Sequence, residues 1–470
     1  MRTLQGTESA VDKAKVDALR AQLRGGLIAP EDAGYDEARS LWNAMIDRRP
    51  GLIARCTGTS DVLAALRFAR EHDLLLSVKS GGHNIAGQAI CEDGFVIDVS
   101  AMRGVWADPV RRIARAAPGA LLGDVDRETQ LHGLAGVMGF VSTTGAAGVT
   151  LGGGFGYLTR RFGWTADNLR GVDVVTADGV LRRASAEENP DLFWALRGGG
   201  GNFGIVTGFE HELHEVGPEI TAGAIAWRGE EAPAVLSFFR EMAAEAPEEL
   251  CCVAGLRLAP PAPWLATDVH GKPIVLVVVC HTGDPARAEA DLAPLKALGS
   301  PVGDVVMRRP YTQQQALLDA TQPKGRRYYW KSEYFGELPP EALDTAVEHA
   351  ARIVSPHAAI LLFQLEGALN RLPEDHSAAG NRGTRWVLNV AGSWERSEDD
   401  EANIAWARAC WEDMRRFSTG GVYVNFLTED EGEDRTAQAY GANHARLAEL
   451  KAKWDPDNVF RHNKNVAPAG

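Results

Sequence analysis

Cysteine is scarce and unpatterned in this chain. Its six thiols, Cys56, Cys91, Cys251, Cys252, Cys280 and Cys410, show neither C-x-x-C spacing nor a regular framework. That excludes a zinc ribbon and a disulfide scaffold and leaves scattered buried thiols, with no metal expected. Long apolar runs are missing too. The longest, Ile274 to Cys280, is far short of the ~20 residues a spanning helix needs. The N-terminus, Met1 to Gly25, is polar, reads as a helix and has no apolar leader core, so a cytoplasmic protein without a membrane partner is expected. Positive charge is also in deficit. The 49 Lys and Arg against 63 Asp and Glu leave a net charge of -14, which repels nucleic-acid phosphates and anionic lipid surfaces. Two phosphate-binding signatures are absent as well. No Gly-Lys-Ser/Thr ends a P-loop. Gly152 to Gly156 lacks the early strand and the acidic residue about 20 positions on that a dinucleotide fingerprint requires.

Glycine is what the chain has in quantity. Fifty of its 470 residues are Gly, concentrated between Gly81 and Gly208. A chain this long exceeds one ordinary core, and roughly 150 residues per domain gives two or three domains. Ser60-Asp61 reads as a helix start, a cap followed by an acid near the positive helix end, with Val62, Leu63, Leu66 and Ala69 on the buried face. Leu74 to Val78, Phe95 to Val99 and Val172 to Thr176 read as strands, the last closed by an Ala177-Asp178-Gly179 turn and a short return. Gly204-Ile205-Val206 opens another, ending near Val216. Gly217-Pro218 is the strongest boundary signal. Beyond it glycine thins, residues 274–281, 359–365 and 386–394 read as strands, and 285–298 and 401–417 read as amphipathic helices. A sheet with covering helices gives an α+β second domain. A last helix over 441–453 is stopped by Asp455-Pro456.

The chemistry starts at His83. It follows the apolar run through Val78 in Ser80-Gly81-Gly82-His83-Asn84, which places an imidazole on a tight, bare turn after a strand. The glycines allow close backbone approach to a large ligand, and a neutral imidazole can attack an electrophilic carbon. Taken alone, His83 also fits an ordinary turn histidine. The separate glycine stretches each offer backbone N–H groups to a pyrophosphate or leave room for a flat ring.

Four stretches together resemble the berberine bridge enzyme-like branch of the vanillyl-alcohol oxidase flavoproteins. They are Ser80 to Asn84, Gly152-Gly153-Gly154-Phe155-Gly156, Leu192 to Val206 with its Gly198-Gly199-Gly200-Gly201 run, and Tyr423-Val424-Asn425. The tail from Lys451 to Phe460 matches too. The resemblance covers nearly the whole chain in the family's order. It implies an α+β fold with a PCMH-type FAD-binding domain built from both chain ends (1–216, core about 46–216, with a return over 421–470). It also implies an α/β substrate domain over 217–420 that lays an antiparallel sheet across the flavin. FAD contacts are expected from Ser80, Gly81, Gly82, His83, Asn84 and Gly87, and from Ser142, Thr143, Thr144, Gly145 and Gly148. Further contacts are expected from Gly152, Gly153 and Gly156, from Gly204, Ile205 and Val206, and from Tyr423 and Asn425.

By the same resemblance, His83 bonds the flavin 8α-methyl carbon. Relatives with a second link carry a cysteine where this chain has Val141, and valine cannot form a thioether, so one bond is expected. Val149 stands where some relatives place a histidine near the flavin pyrimidine. Thr144 falls where relatives control O2 access, and its small size resembles the oxidase pattern. Tyr423 and Asn425 are placed on a returning strand whose alternation puts both on one face, with Tyr423 read as a base or a hydrogen-bonded wall. Asn389, on the strand from Trp386, can orient a substrate but cannot take its proton. Arg326-Arg327-Tyr328-Tyr329-Trp330 reads as a cavity mouth or as an ordinary strand, and Gln364 and Glu366 share that ambiguity. The expected activity is hydride transfer from a small organic substrate (alcohol, sugar, amine or phenolic metabolite) to flavin N5, with O2 as acceptor. The alternatives are a dehydrogenase using a quinone or dye, and a flavin-binding protein without turnover.

Overall fold

The computed structural model describes all 470 residues. Three sheets of four or more strands organise the chain, beside a two-stranded pairing of Leu134–Ala135 with His214–Glu215. The first has the order Leu27–Ile28, Leu52–Arg55, Phe95–Asp98, Leu76–Lys79, the last three parallel. Its strands are nearly continuous apolar runs, as strands covered on both faces must be. The helices Lys13–Gln22 and Thr59–Glu71 cover it through Leu19, Val62, Leu66 and Phe68, and Val459 and Phe460 of the chain's far end enter the same core. The helix begins at Thr59 rather than Ser60, and Ser60 is not its cap. Asp61 instead accepts from the backbone N–H groups of Thr57 and Arg24 at 2.9 and 3.1 Å.

The second sheet is antiparallel, ordered Val105–Asp108, Ile113–Ala116, Ile205–Glu212, Leu169–Val175, Leu181–Ser185. Helix Pro190–Leu196 packs on it, joined from the other chain end by Tyr440 and Leu447. The third and largest sheet follows Gly217-Pro218. Its main path runs Gly303–Asp304, Glu219–Arg228, Pro273–His281, Leu250–Leu258, Ala359–Gln364, Trp386–Trp394, Arg327–Phe335. Helices Ala232–Glu245, Pro340–Ala350 and Asp400–Arg415 cover one face.

Period-two alternation decides what the other face presents. Cys252, Ala254, Leu256, Ile360, Leu362, Leu388 and Val390 point into the helix-side core. Val253, Gly255, Arg257, Ala359, Leu361, Phe363, Asn389 and Ala391 therefore face the two smaller sheets. All six cysteines are free and buried. No helix is long and apolar enough to cross a membrane.

Candidate active site

A cavity of about 400 Å³ lies between the smaller sheets and the open face of the large one. One wall is made of loops. Ser80, Gly81, Gly82, His83 and Asn84 line it directly after strand Leu76–Lys79. Thr144, Gly145 and Gly148 line it beside Val141 and Val149, and Gly204, Ile205 and Val206 extend it. The first two loops touch backbone to backbone: a Cβ on Gly81 would sit 2.7 Å from Gly145. Gly148 has no atom within 4 Å of where its Cβ would lie, so its bare backbone borders open space.

Six expected FAD contacts do not reach the cavity wall. The Ser142 hydroxyl and N–H are taken by Asp319, and Thr143 is exposed. Gly87 packs against Ile46, Gly156 against the Met138 carbonyl, and Gly152 against the Asn425 side chain, while Gly153 takes φ 102° behind the loop. These glycines shape the loops by close packing.

His83 lines the cavity, and its Nε2 is buried without a hydrogen-bond partner. Burial pushes its pKa down to about 4, so the ring is neutral at physiological pH. It stacks on Trp42 at 4.3 Å between centroids, and Trp42 stacks on Tyr328 at 3.6 Å. The Asn43 amide group locks this column by donating to the carbonyls of Ile85 and Tyr328 at 3.1 and 2.9 Å. The large sheet thus holds the imidazole from behind. Trp42 lies outside every glycine stretch, and only a lone aromatic in a polar segment could have pointed to it.

Tyr423 and Asn425 both line the cavity, but not on a strand. Val424–Phe426 is a single 3₁₀ turn with Tyr423 at its start. The two side chains meet because that turn folds the Asn425 amide back to donate to the Tyr423 hydroxyl at 2.8 Å. Asn425 also donates to the Gly148 carbonyl at 3.2 Å. Phe155 and Phe426 meet the Tyr423 ring edge-on, each at 4.9 Å. Burial pushes its phenol pKa up, and no cation offsets this. The protein groups around it therefore favour a neutral phenol.

The opposite wall is the sheet face. Across neighbouring strands, Arg257 pairs Ala359, Ala359 pairs Ala391, and Ala391 pairs Trp330. One step along lies Gly255, then Leu361, then Asn389. Asn389 Oδ1 is buried without a partner. The aromatic-basic stretch splits by alternation. Trp330 lines the cavity, whereas Tyr329 donates to Asp430 at 2.6 Å and Arg327 pairs with Asp400 on the other side. Gln364 donates to the Ala243 carbonyl on the helix side and Glu366 pairs with Arg385, so neither joins the cavity. His462, Asn463 and Lys464 also line it. They were missed, although a polar run after apolar Val459-Phe460 was the available signal. Burial lowers Lys464 to about 8 and His462 to about 4.

Comparison with known proteins bears on the family and the fold. A family model described as "FAD binding domain" matches residues 50–185, and one described as "Berberine and berberine like" matches residues 422–467. The chain is 31% identical to (R)-6-hydroxynicotine oxidase of Paenarthrobacter nicotinovorans, over 95% of this chain and 98% of that one. It is 38% identical to an FAD-linked oxidoreductase of Aspergillus terreus, over 98% and 97%. The crystal structure of 6-hydroxy-D-nicotine oxidase from Arthrobacter nicotinovorans superposes with a TM-score of 0.86 at 29% identity, covering 95% of this chain and 98% of that one.

Proposed function

The chain belongs to the berberine bridge enzyme-like family of FAD-linked oxidases, and from that premise we propose a single covalent link to FAD, through His83, and O2 as the electron acceptor. The unpartnered Nε2 of a neutral His83 on the cavity wall is the observation that supports the covalent link. An orphaned buried nitrogen costs free energy unless something completes it, and the open backbone at Gly148 leaves the room a flat ring needs. His83 would hold FAD through its 8α-carbon; the C–N bond would replace one methyl C–H and the imidazole N–H, with the two electrons taken by the flavin ring itself and passed on to O2.

Bound in this cavity, FAD would supply a hydride acceptor for a substrate carbon, with O2 as the final acceptor and H2O2 as its product. The protein's part is placement. The Trp42–Tyr328 column holds the His83 ring, and Asn425 and Tyr423 hold each other against the Gly148 carbonyl. Asn389 orients a small organic substrate from the sheet, Thr144 leaves space for O2 on the loop side, and the apolar floor excludes water.

His83→Ala tests the link. Wild-type protein precipitated in acid keeps its colour in the pellet, and the variant releases flavin to the supernatant. A variant that retains covalent flavin sinks the assignment. Reoxidation of the substrate-reduced wild type by dyes or quinones but not by O2 would leave the dehydrogenase reading in place.

A further inference from the structure

We propose that the sheet side of the cavity is built for a flat aromatic substrate carrying a carboxylate, with Arg257 as the anion anchor and the ring lying over Ala359 and Ala391 toward Trp330. This rests on reading the cavity as the enzyme's substrate chamber.

Register sets the dimensions. Arg257, Ala359, Ala391 and Trp330 form one row across four adjacent strands. At about 4.8 Å per strand, the guanidinium-bearing strand and the indole-bearing strand are separated by roughly 14 Å of floor. The two alanines between them are the smallest side chains a strand can carry without a glycine. They leave a shallow trough bounded by a cation at one end and an aromatic edge at the other. Trp330 is itself held edge-on to Phe426 at 5.2 Å.

Charge gives the chemical class. Arg257 is partly buried at the cavity wall, and its guanidinium donates only to the carbonyls of Leu258 and Pro356, at 3.2 and 3.4 Å. It forms none of the molecule's ion pairs. Arg326 adds positive charge nearby, and its own contact is the Thr321 carbonyl at 3.3 Å. The one carboxylate in the cluster, Glu395, is mostly exposed and pairs with His357 at 3.2 Å. A cavity-lining cation without a counter-ion leaves its charge unmatched, and a planar carboxylate suits the guanidinium fork in a way a neutral ligand cannot. A sugar fits poorly. Its hydroxyls would need many partners from the floor beneath it, and the row next to the trough provides there only Gly255, Leu361 and one amide, Asn389; the cavity's other polar groups lie mainly on its loop walls.

The test uses oxidised wild-type holoenzyme and two non-reducing probes of matched shape, 2-naphthoate and 2-naphthamide, titrated against the flavin absorption spectrum. The carboxylate is expected to bind about tenfold more tightly or better, the range a desolvated charge pair supports. Arg257→Gln should abolish that preference while still binding the amide. Ala359→Phe, which fills the trough and keeps the cation, should weaken both probes together. Equal binding of the two probes to wild type, or an undiminished preference in Arg257→Gln, overturns the proposal. No turnover is involved, so loss of the O2 or covalent-link reading would leave this result interpretable, and the reverse also holds.

Discussion

One wall of the cavity is backbone and the facing wall is side chain. On the loop wall, Gly81 and Gly145 meet without side chains between them, Gly148 presents bare backbone, and His83 carries a buried nitrogen without a partner. On the sheet wall, the backbone is consumed by strand pairing, and identity resides in which residues alternation turns inward: Arg257, Ala359, Asn389, Ala391 and Trp330. A wall of backbone suits a ligand the whole family shares, because its geometry does not change with the neighbouring side chains. A wall of side chains can be re-specified one substitution at a time without disturbing the ladder that carries it.

The largest test of that contrast sets Gly81→Ala against Ala391→Val. The added Cβ on Gly81 meets Gly145 at 2.7 Å, and neither loop backbone can yield cheaply. A loss of about 1–3 kcal/mol is expected, read as a lower urea midpoint together with reduced flavin content. Ala391→Val adds bulk to the trough and should keep full flavin content while raising KM. Equal flavin loss in both variants would break the distinction between the walls.

Next comes Thr144→Leu, which puts bulk on the loop wall away from the substrate floor. Reoxidation by O2 is expected to slow by about tenfold or more, equivalent to a barrier increase of ~1.4 kcal/mol, with anaerobic reduction little changed in stopped-flow. Comparable slowing of both half-reactions would show that Thr144 does not act on oxygen specifically.

Tyr423 sits where the walls join, and its expected effect is smaller. Removal of a general base costs about 10² to 10⁴ in rate. Loss of the hydroxyl that accepts from Asn425 costs about 0.5–1.5 kcal/mol, roughly threefold to tenfold. Tyr423→Phe should fall in the lower range when flavin reduction is followed anaerobically. A drop beyond a hundredfold would point to the base role.

The smallest expected change is none. An imidazole with an ordinary pKa of ~6.5 is about nine-tenths protonated at ~pH 5.5. His83, pushed down to about 4 by burial, stays mostly neutral there, because a lowered pKa carries the unprotonated form to lower pH. Covalent attachment of FAD to apoprotein from flavin-starved cells should therefore run at similar rates at ~pH 5.5 and ~pH 7.5. A tenfold slowing at the lower pH would show His83 to be less shielded.

The same contrast explains what could be read in advance. Ser80 to Asn84 and Gly145 are legible because glycine announces its own conformational purpose, and strand Trp386–Trp394 is legible from its apolar run. The sheet wall is less so. Alternation in Cys252-Val253-Ala254-Gly255 separates two faces without saying which meets the cavity, because both are apolar. That decision belongs to the covering helices, whose residues lie far along the chain. Tyr423 and Asn425 were placed together by the wrong element, since Val-Tyr-Val-Asn-Phe has a strand's composition and only the contact with Gly148 turns it. Trp42 was invisible because its meaning depends on Tyr328, a residue of the large sheet.

The central claim is that, of the groups lining the cavity, His83 is the nucleophile that takes the flavin. Peptide mapping of denatured, protease-digested holoprotein by mass spectrometry tests it most directly. The account predicts a single flavin-bearing peptide, containing His83, with Val141 and all six cysteine peptides unmodified. Flavin on any cysteine peptide, or no flavin-bearing peptide from protein that was yellow before denaturation, would contradict it.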